Sequence, residues 1–168
     1  LGTIRQDVNV SIMNGAIIEV KGAQDLGMIS TIVEYEAQRQ YTLIEIQDEL
    51  ANRGVKSEDL TKDFVNVSDL FKKTKSRILL ASLKKDGNVY AVKLKGFNGL
   101  TGKELCPNRR LGTELSDHAK FMGGVRGIFH TDELPGYSIT EEEVSELRKQ
   151  MNADDNDAVI IVADEESK

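Results

Sequence analysis

The chain has 168 residues, enough for one large domain or two small ones with a buried core. Its composition, 39% hydrophobic and 30% charged, is that of a soluble globular protein. No apolar run approaches the roughly 18 residues of a membrane span and no signal-peptide pattern is present, so we expect a cytoplasmic protein with no membrane partner. Cys106 is the single cysteine, which excludes a disulfide framework or a cysteine metal cluster within the chain.

The net charge of −6 is distributed unevenly along the chain. Between Asp69 and Arg110, eleven lysines and arginines stand against three acids, whereas His130 to Lys168 holds twelve acids against three bases. A basic segment in an acidic protein favours a directed contact with a polyanion. The alternative is that these lysines form an ordinary solvated surface, which is common.

The first predicted element is a β-hairpin. Residues 3 to 12 alternate between apolar and polar side chains, as a half-buried strand does, and Asn14-Gly15 indicates a turn. A three-residue loop at 13–15, with Gly15 as its left-handed residue, keeps the apolar and polar faces apart in both strands. In that register the facing pairs are Asp7–Lys21, Val8–Val20, Asn9–Glu19 and Val10–Ile18.

One face of this hairpin gathers two acids, an amide and an amine, which are Asp7, Glu19, Asn9 and Lys21. Such a set suits a site for Mg²⁺ and phosphate, because hard oxygen ligands hold the metal and a cation neutralises phosphate charge. The alternative is a solvated antiparallel face with an Asp7–Lys21 pair that contributes less than about 1 kcal/mol.

The patterns that follow predict an α+β architecture. Asp25 caps a long helix that closes at Gly54 and could be broken near Tyr41-Thr42; a polar linker follows at 55–67. A second helix begins at Ser68 or Asp69 and runs to about Leu83. The rest reads as strands at 89–95, 124–130 and 157–164, a glycine-rich loop at 96–102, and helices at 113–122 and 140–151, the last opened by a capping box. This order predicts a compact α+β domain with helices on one sheet, and a core containing Val92, Leu94, Ile128, Val144, Leu147 and Ile160.

Two further clusters are weaker candidates for sites. His130, Asp132 and Glu133 stand together and could hold a metal, although a loop closed by Pro135-Gly136 is the simpler interpretation. The glycine-rich "GFNGLTG" lacks the ending of a phosphate-binding loop and a following helix, so it predicts a flexible turn.

Four basic residues are candidates for nucleic-acid contacts. Arg109 and Arg110 precede a helix and suit phosphate recognition, but arginines also commonly pair with surface acids. Lys93 and Lys95 lie near Phe97, which could be a stacking platform for a base or simply part of the core.

The sequence also resembles a known family. "RQDVNVSI", "GAIIEVKGAQ" and "VEYEAQRQ" are similar to the catalytic core shared by the B and E subunits of tRNA-dependent amidotransferases. "VYAVKLKGFNGLTGKEL", "RRLGTELSDHAK" and "GVRGIFHTDELPGYSITEEEV" resemble the archaeal E subunits of glutamyl-tRNA(Gln) amidotransferases, whose insertion resembles a domain of bacterial-type aspartyl-tRNA synthetases. The resemblance implies that residues 1–75 belong to the amidotransferase core and residues 76–168 form the inserted domain.

The resemblance implies an enzyme, a carbon–nitrogen ligase of protein biosynthesis that uses ATP and Mg²⁺. Glutamate-charged tRNA(Gln) would be its substrate, and the amidotransferase D subunit, an asparaginase-like protein, would supply ammonia. Asp7 and Glu19 would then ligate Mg²⁺ and act with Lys21 in catalysis, while Arg5 and Asn9 would bind the nucleotide. The tRNA would meet Lys93, Lys95, Arg109 and Arg110.

The family pattern extends beyond both ends of this sequence, so we expect a fragment that is inactive alone. Its N-terminal piece should expose apolar surface, which a homodimer could cover. The alternative function is a module without catalysis, which binds tRNA or a partner protein or only spaces other parts.

Overall fold

The computed structural model describes residues 5–164, with the side chain of Asp164 excepted. Strands β1 (Asp7–Val10) and β2 (Ile18–Lys21) form an antiparallel hairpin in the predicted register, with Asp7 facing Lys21 and Asn9 facing Glu19. The start of the strand predicted at residues 3–12 lies outside the described residues. The predicted turn geometry is wrong in one respect, because Asn14, with φ 64°, is the left-handed residue and Gly15 is not.

A long helix, α1 (Ile29–Asn52), follows the hairpin. Asp25 caps the 3-10 turn Leu26–Met28, which leads directly into α1, since Asp25 Oδ1 accepts a hydrogen bond from the Gly27 amide at 2.8 Å. The helix α1 itself begins later than predicted, at Ile29, and has no side-chain cap. As predicted, the chain leaves the helix at Gly54, with φ 71°. The predicted break near Tyr41-Thr42 is absent. The Thr42 hydroxyl donates to the Gln38 carbonyl at 3.0 Å, one turn back, so this residue stays inside the helix.

Most of the described chain after α1 builds a second unit around a four-stranded antiparallel sheet, with three helices and a small hairpin. The strands, in their order across the sheet, are β3 (Val65–Asn66), β4 (Asn88–Leu94), β8 (Ala158–Asp164) and β7 (Ile128–His130). The helices are α2 (Arg77–Leu83), α3 (Leu111–Gly123) and α4 (Glu141–Gln150), and the hairpin is β5 (Glu104–Cys106) with β6 (Arg109–Arg110). The predicted α+β class is confirmed.

The larger core cluster lies on one face of this sheet, and a smaller one packs Ile46 of α1 against Leu100, Leu105 and Leu111. Val159 and Ile161 of the central strand β8 are fully buried, and Leu147 of α4 packs into the larger cluster. The predicted core is correct for Leu147 and Ile160. It is wrong for β4, whose inward residues are Val89 and Ala91; the predicted Val92 and Leu94 are half-buried, as are Ile128 and Val144.

The segment predicted as a linker partly belongs to the second unit. Val65 and Asn66 pair with Ala91 and Tyr90, adding an edge strand, and Val67 is fully buried. The predicted helix start at Ser68 or Asp69 is also wrong, because the Ser68 hydroxyl accepts from the Val89 amide at 2.9 Å and so holds this segment to the sheet. Turns continue to Ser76, where α2 begins. The division of the chain at 75/76 stays a prediction.

The N-terminal unit exposes several large apolar side chains, as its short isolated sheet led us to expect. The most exposed of those before β3 are Met13, Ile17, Leu26 and Phe64. In the part of the chain that the structure describes, no helix has the length and apolar character needed to cross a membrane.

Candidate functional site

The polar face of the hairpin is formed as predicted. Asp7, Asn9, Glu19 and Lys21 are all exposed on one side of the two strands, and Arg5 is exposed just before β1. Lys21 pairs with Glu19 of its own strand, Nζ to Oε2 at 3.3 Å, rather than with Asp7 across the hairpin. The cross-strand pair that would have explained this face structurally is therefore not the contact formed.

The opposite side of the hairpin rests on α1 through a buried glutamine. Gln40 Nε2 donates to the Val10 carbonyl at 3.2 Å and to Glu36 Oε1 at 2.9 Å. Gly15 allows this close approach, because a Cβ here would collide with Gln40 Oε1 and lie 2.8 Å from Ile12 Cγ1, so those side chains would have to shift. These contacts hold the hairpin at a defined position on the helix and turn its polar face outward.

A buried ion pair connects the same stretch of α1 to the second unit. Arg39 donates to Glu36 Oε1 at 3.0 Å and, with Nε and Nη2, to both carboxylate oxygens of Glu114 on α3. Arg109 Nε lies 3.5 Å from Glu114 Oε2. The hairpin and the second unit are thus linked through adjacent residues, Arg39 and Gln40, of one helix.

This network shifts two pKa values. The pKa of Arg39 is raised, chiefly by its hydrogen bond to Glu114, although burial opposes the shift. Burial raises the pKa of Glu114. The hydrogen bond and the charge of Arg39, together with the charge of Arg109, lower the pKa by more than burial raises it, so the net pKa lies below the ordinary value of 4.5. Both groups are therefore ionised at neutral pH.

The hairpin offers oxygen ligands to a metal but not a closed cage. Asp7, Glu19 and Asn9 carry the hard oxygen donors that Mg²⁺ prefers, and Mg²⁺ commonly uses one or two carboxylates with phosphate and water oxygens completing its shell. Within residues 5–164, no group of three or more histidine, cysteine or acidic side chains is arranged to hold a metal. The residues fit a shared metal site, with the remaining ligands coming from a substrate or from elsewhere.

The weaker metal candidate does not assemble. Asp132 accepts hydrogen bonds from the amides of Gly99 and Gly102 at 2.8 and 2.9 Å and from the Thr101 hydroxyl, while Glu133 accepts from the His130 amide at 3.2 Å. Asp132 therefore secures the glycine-rich loop predicted as a turn, and the simpler interpretation as a structural loop agrees with these contacts.

The four predicted tRNA contacts form two neighbouring pairs, one at the end of β4 and one in β6, and each residue has an intramolecular partner. Lys93 donates to the Asn152 carbonyl and Lys95 to Asp59, both at 2.9 Å. Arg109 donates to Asp117 at 3.0 Å and Arg110 to the Gly102 carbonyl at 2.6 Å. Of the four, Arg110 lines a cavity, where it lies among three other cations that sequence reasoning did not select: Arg77, Lys120 and Arg126.

Comparison with known sequences decides the family. The GAD domain model matches residues 79–168, more than half of the chain. The chain belongs to the GAD domain family. The GAD domain region contains most of α2, all of α3 and α4, and every described strand of the sheet except β3.

Relatives match the whole chain, including the hairpin outside the GAD domain region. The chain is 58% identical over its full length to the E subunit of glutamyl-tRNA(Gln) amidotransferase from Methanocaldococcus jannaschii. It is 55% identical to proteins of the same name from Methanococcus maripaludis, over 100% of the chain, and from Pyrococcus furiosus, over 99%. The chain spans 26% of the length of each of these relatives. The predicted resemblance to the archaeal E subunits is confirmed.

Proposed function

We propose that this GAD-family chain is part of an enzyme that converts Glu-tRNA(Gln) to Gln-tRNA(Gln), and that its hairpin serves the ATP-dependent step. The identity to the amidotransferase E subunits extends through the hairpin and α1, which lie outside the GAD domain region. The observation that carries the proposal is the exposed face of Asp7, Asn9, Glu19 and Lys21 in one register.

The proposed reaction has two steps. In the first, ATP transfers its γ-phosphoryl group to the glutamyl γ-carboxylate. In the second, ammonia attacks the resulting acyl phosphate, the carbon–nitrogen bond forms, and inorganic phosphate leaves. The ammonia would come from a partner, the D subunit with asparaginase-like activity, as the family resemblance implies.

Each polar residue of the hairpin has a role in the first step. Asp7 and Glu19 would hold Mg²⁺, which when bound stabilises the charge of the transferring phosphoryl group. Lys21 lies 3.3 Å from Glu19 and would also face the phosphate oxygens, where its positive charge opposes their repulsion. Asn9, opposite Glu19, would orient the nucleotide, and Arg5 would contact its phosphates.

The rigidity of the site would come from the contacts behind it. Phosphoryl transfer depends mainly on positioning and electrostatics, so a carboxylate must keep its place as the phosphate moves. The hydrogen bond from Gln40 to the Val10 carbonyl provides that support for β1.

The second candidate function is a module that binds tRNA or a partner protein, or only spaces other parts. The basic segment from Asp69 to Arg110 has eleven cations and three acids, and this positive charge favours tRNA binding. The intramolecular partners of Lys93, Lys95 and Arg109 favour the architectural version.

The test uses the full-length protein with its ammonia-supplying partner and replaces Asp7 with Asn or Glu19 with Gln. Single-turnover formation of ADP and of Gln-tRNA(Gln) should fall by about 100-fold or more, the usual effect of removing one principal electrostatic contact. Supplying ammonium chloride separates this step from ammonia production, and the asparaginase activity should be unchanged. Glu34→Gln, which removes an exposed acid on α1, is the matched control and should retain full activity.

One result would contradict the catalytic role of the hairpin. If Asp7→Asn lowers the unfolding free energy while the surviving folded molecules turn over normally, the polar face is structural and the catalytic assignment is wrong.

A further inference from the structure

A cavity of about 550 Å³ opens between α2, α3 and β7, far along the chain from the hairpin. Its walls are largely apolar and include Ile78 and Ala81 of α2 and Phe129 of β7. The volume is in the range of small-molecule sites, which are mostly apolar with a few polar groups that converge on the ligand. We call it the α2–α3 cavity.

Positive charge converges on this cavity from separate elements. Arg77, Arg110, Lys120 and Arg126 line it, and Glu133 is the one acid among the described lining residues. Glu133 is occupied by other contacts, since its carboxylate accepts from the His130 amide and from the Tyr137 hydroxyl, each at 3.2 Å. Of these cations, Lys120 also lies 3.7 Å from the Asp117 carboxylate and Arg126 has a partner within the protein, while Arg110 donates to a neutral group, the Gly102 carbonyl. The lining still carries more positive than negative charge, which suits an anionic ligand.

A buried histidine shapes one wall of the cavity. His130 lines the cavity with its side chain only 7% exposed. Its ring packs directly against Gly112, where a Cβ would collide with it. This wall is therefore closely packed.

We propose that the α2–α3 cavity binds a nucleotide unit. Its phosphate would lie among Arg77, Arg110 and Lys120, because guanidinium groups match phosphate oxygens in charge and geometry. The base would lie against the apolar wall formed by Ile78, Ala81 and Phe129. The inference goes beyond the proposed catalytic role and does not depend on the hairpin.

Two sources present the same chemistry, a free nucleotide and a nucleotide within an RNA strand. The experiment uses one photoreactive probe for each source with the full-length protein: 8-azido-AMP, and a 12-nucleotide single-stranded RNA carrying 4-thiouridine. Mass spectrometry of the cross-linked peptides maps the label. We expect it on peptides lining the α2–α3 cavity, such as those containing Ile78 or Tyr137, and we expect Asp7→Asn to leave this label unchanged.

Two variants separate the cavity from general surface charge. The pair Arg77→Ala with Lys120→Ala removes phosphate contacts, and should reduce the cavity label by about tenfold or more, the loss expected for charge-assisted hydrogen bonds. Ala81→Trp fills the cavity without changing charge and should abolish the label. The matched control, Lys72→Ala with Lys149→Ala, removes two exposed cations outside the cavity and should leave the cavity label unchanged.

Every outcome bears on the proposal. Cavity label from 8-azido-AMP that is lost in both test variants supports a free nucleotide, and cavity label from the RNA probe alone supports a nucleotide of a strand. The proposal is overturned if neither probe labels these peptides, if the label persists in Ala81→Trp, or if the control variant reduces it equally. A loss of amidotransferase activity in Asp7→Asn with the cavity label retained would separate this inference from the hairpin proposal.

Discussion

Replacing Glu114 with Gln should destabilise the protein by about 2–3 kcal/mol, because it leaves Arg39 with a neutral partner in a mostly buried site. Breaking a fully buried pair costs about 3–5 kcal/mol. The value here should be lower, since the Arg39 side chain is 22% exposed and keeps its 3.0 Å contact with Glu36. The perturbation removes one negative charge while preserving the size of the side chain.

The effect should depend on pH with a definite sign. The pKa of Glu114 in the folded protein lies below its ordinary value of 4.5, so its ionised form stabilises the fold above that value. That contribution is lost as the pH falls through the folded-state pKa. The difference in unfolding free energy between wild type and Glu114→Gln should therefore be constant from neutral pH down to about 5 and shrink at lower pH.

Urea unfolding followed by circular dichroism measures this difference at each pH. Asp117→Asn is the control, because Asp117 pairs with Arg109 at 3.0 Å but is 48% exposed, and should cost less than about 1 kcal/mol. A Glu114→Gln variant no less stable than Asp117→Asn at pH 7, or a gap that widens in acid, would refute the claim that a buried ion pair joins α1 to α3.

Three further predictions concern the fold and the basic segment. Leu147→Ala, in the fully buried core, should lower the unfolding free energy by about 3 kcal/mol in a urea titration, and a loss below about 1 kcal/mol would contradict the packing described. Thr140→Ala removes the cap that accepts from the Glu143 amide at 3.2 Å and should cost about 1 kcal/mol by the same assay, whereas Thr140→Ser should restore it. Arg109→Ala with Arg110→Ala, in the full-length protein, should weaken tRNA binding and flatten its salt dependence if these residues touch phosphates; an unchanged slope would assign them to their intramolecular contacts.

The parts of the fold that follow local rules were predictable. The period of two in β1 and β2 determines which residues share a face, so the register and the polar face followed from the sequence. The capping box at Thr140 likewise depends on residues three positions apart and is present, with the Thr140 amide donating to Glu143 at 2.8 Å.

The parts of the fold that depend on contacts between distant residues could not be predicted from the sequence. Strand β3 has only two residues and forms because Val65 and Asn66 pair with β4. No local sequence pattern predicts this pairing. Arg39 and Glu114 are 75 positions apart, so their pairing required the packing of α1 on the second unit. The cations of the α2–α3 cavity come from positions between 77 and 126 and form a cluster only in three dimensions.

The most direct test of the hairpin site combines Asp7→Asn and Glu19→Gln in the full-length protein and measures single-turnover ADP formation for both single variants and the double variant. If both carboxylates serve one metal, either substitution removes most of the effect, and the double variant should lose far less than the product of the two single losses. Losses that multiply would show that the two residues act independently and would contradict a shared metal on this face.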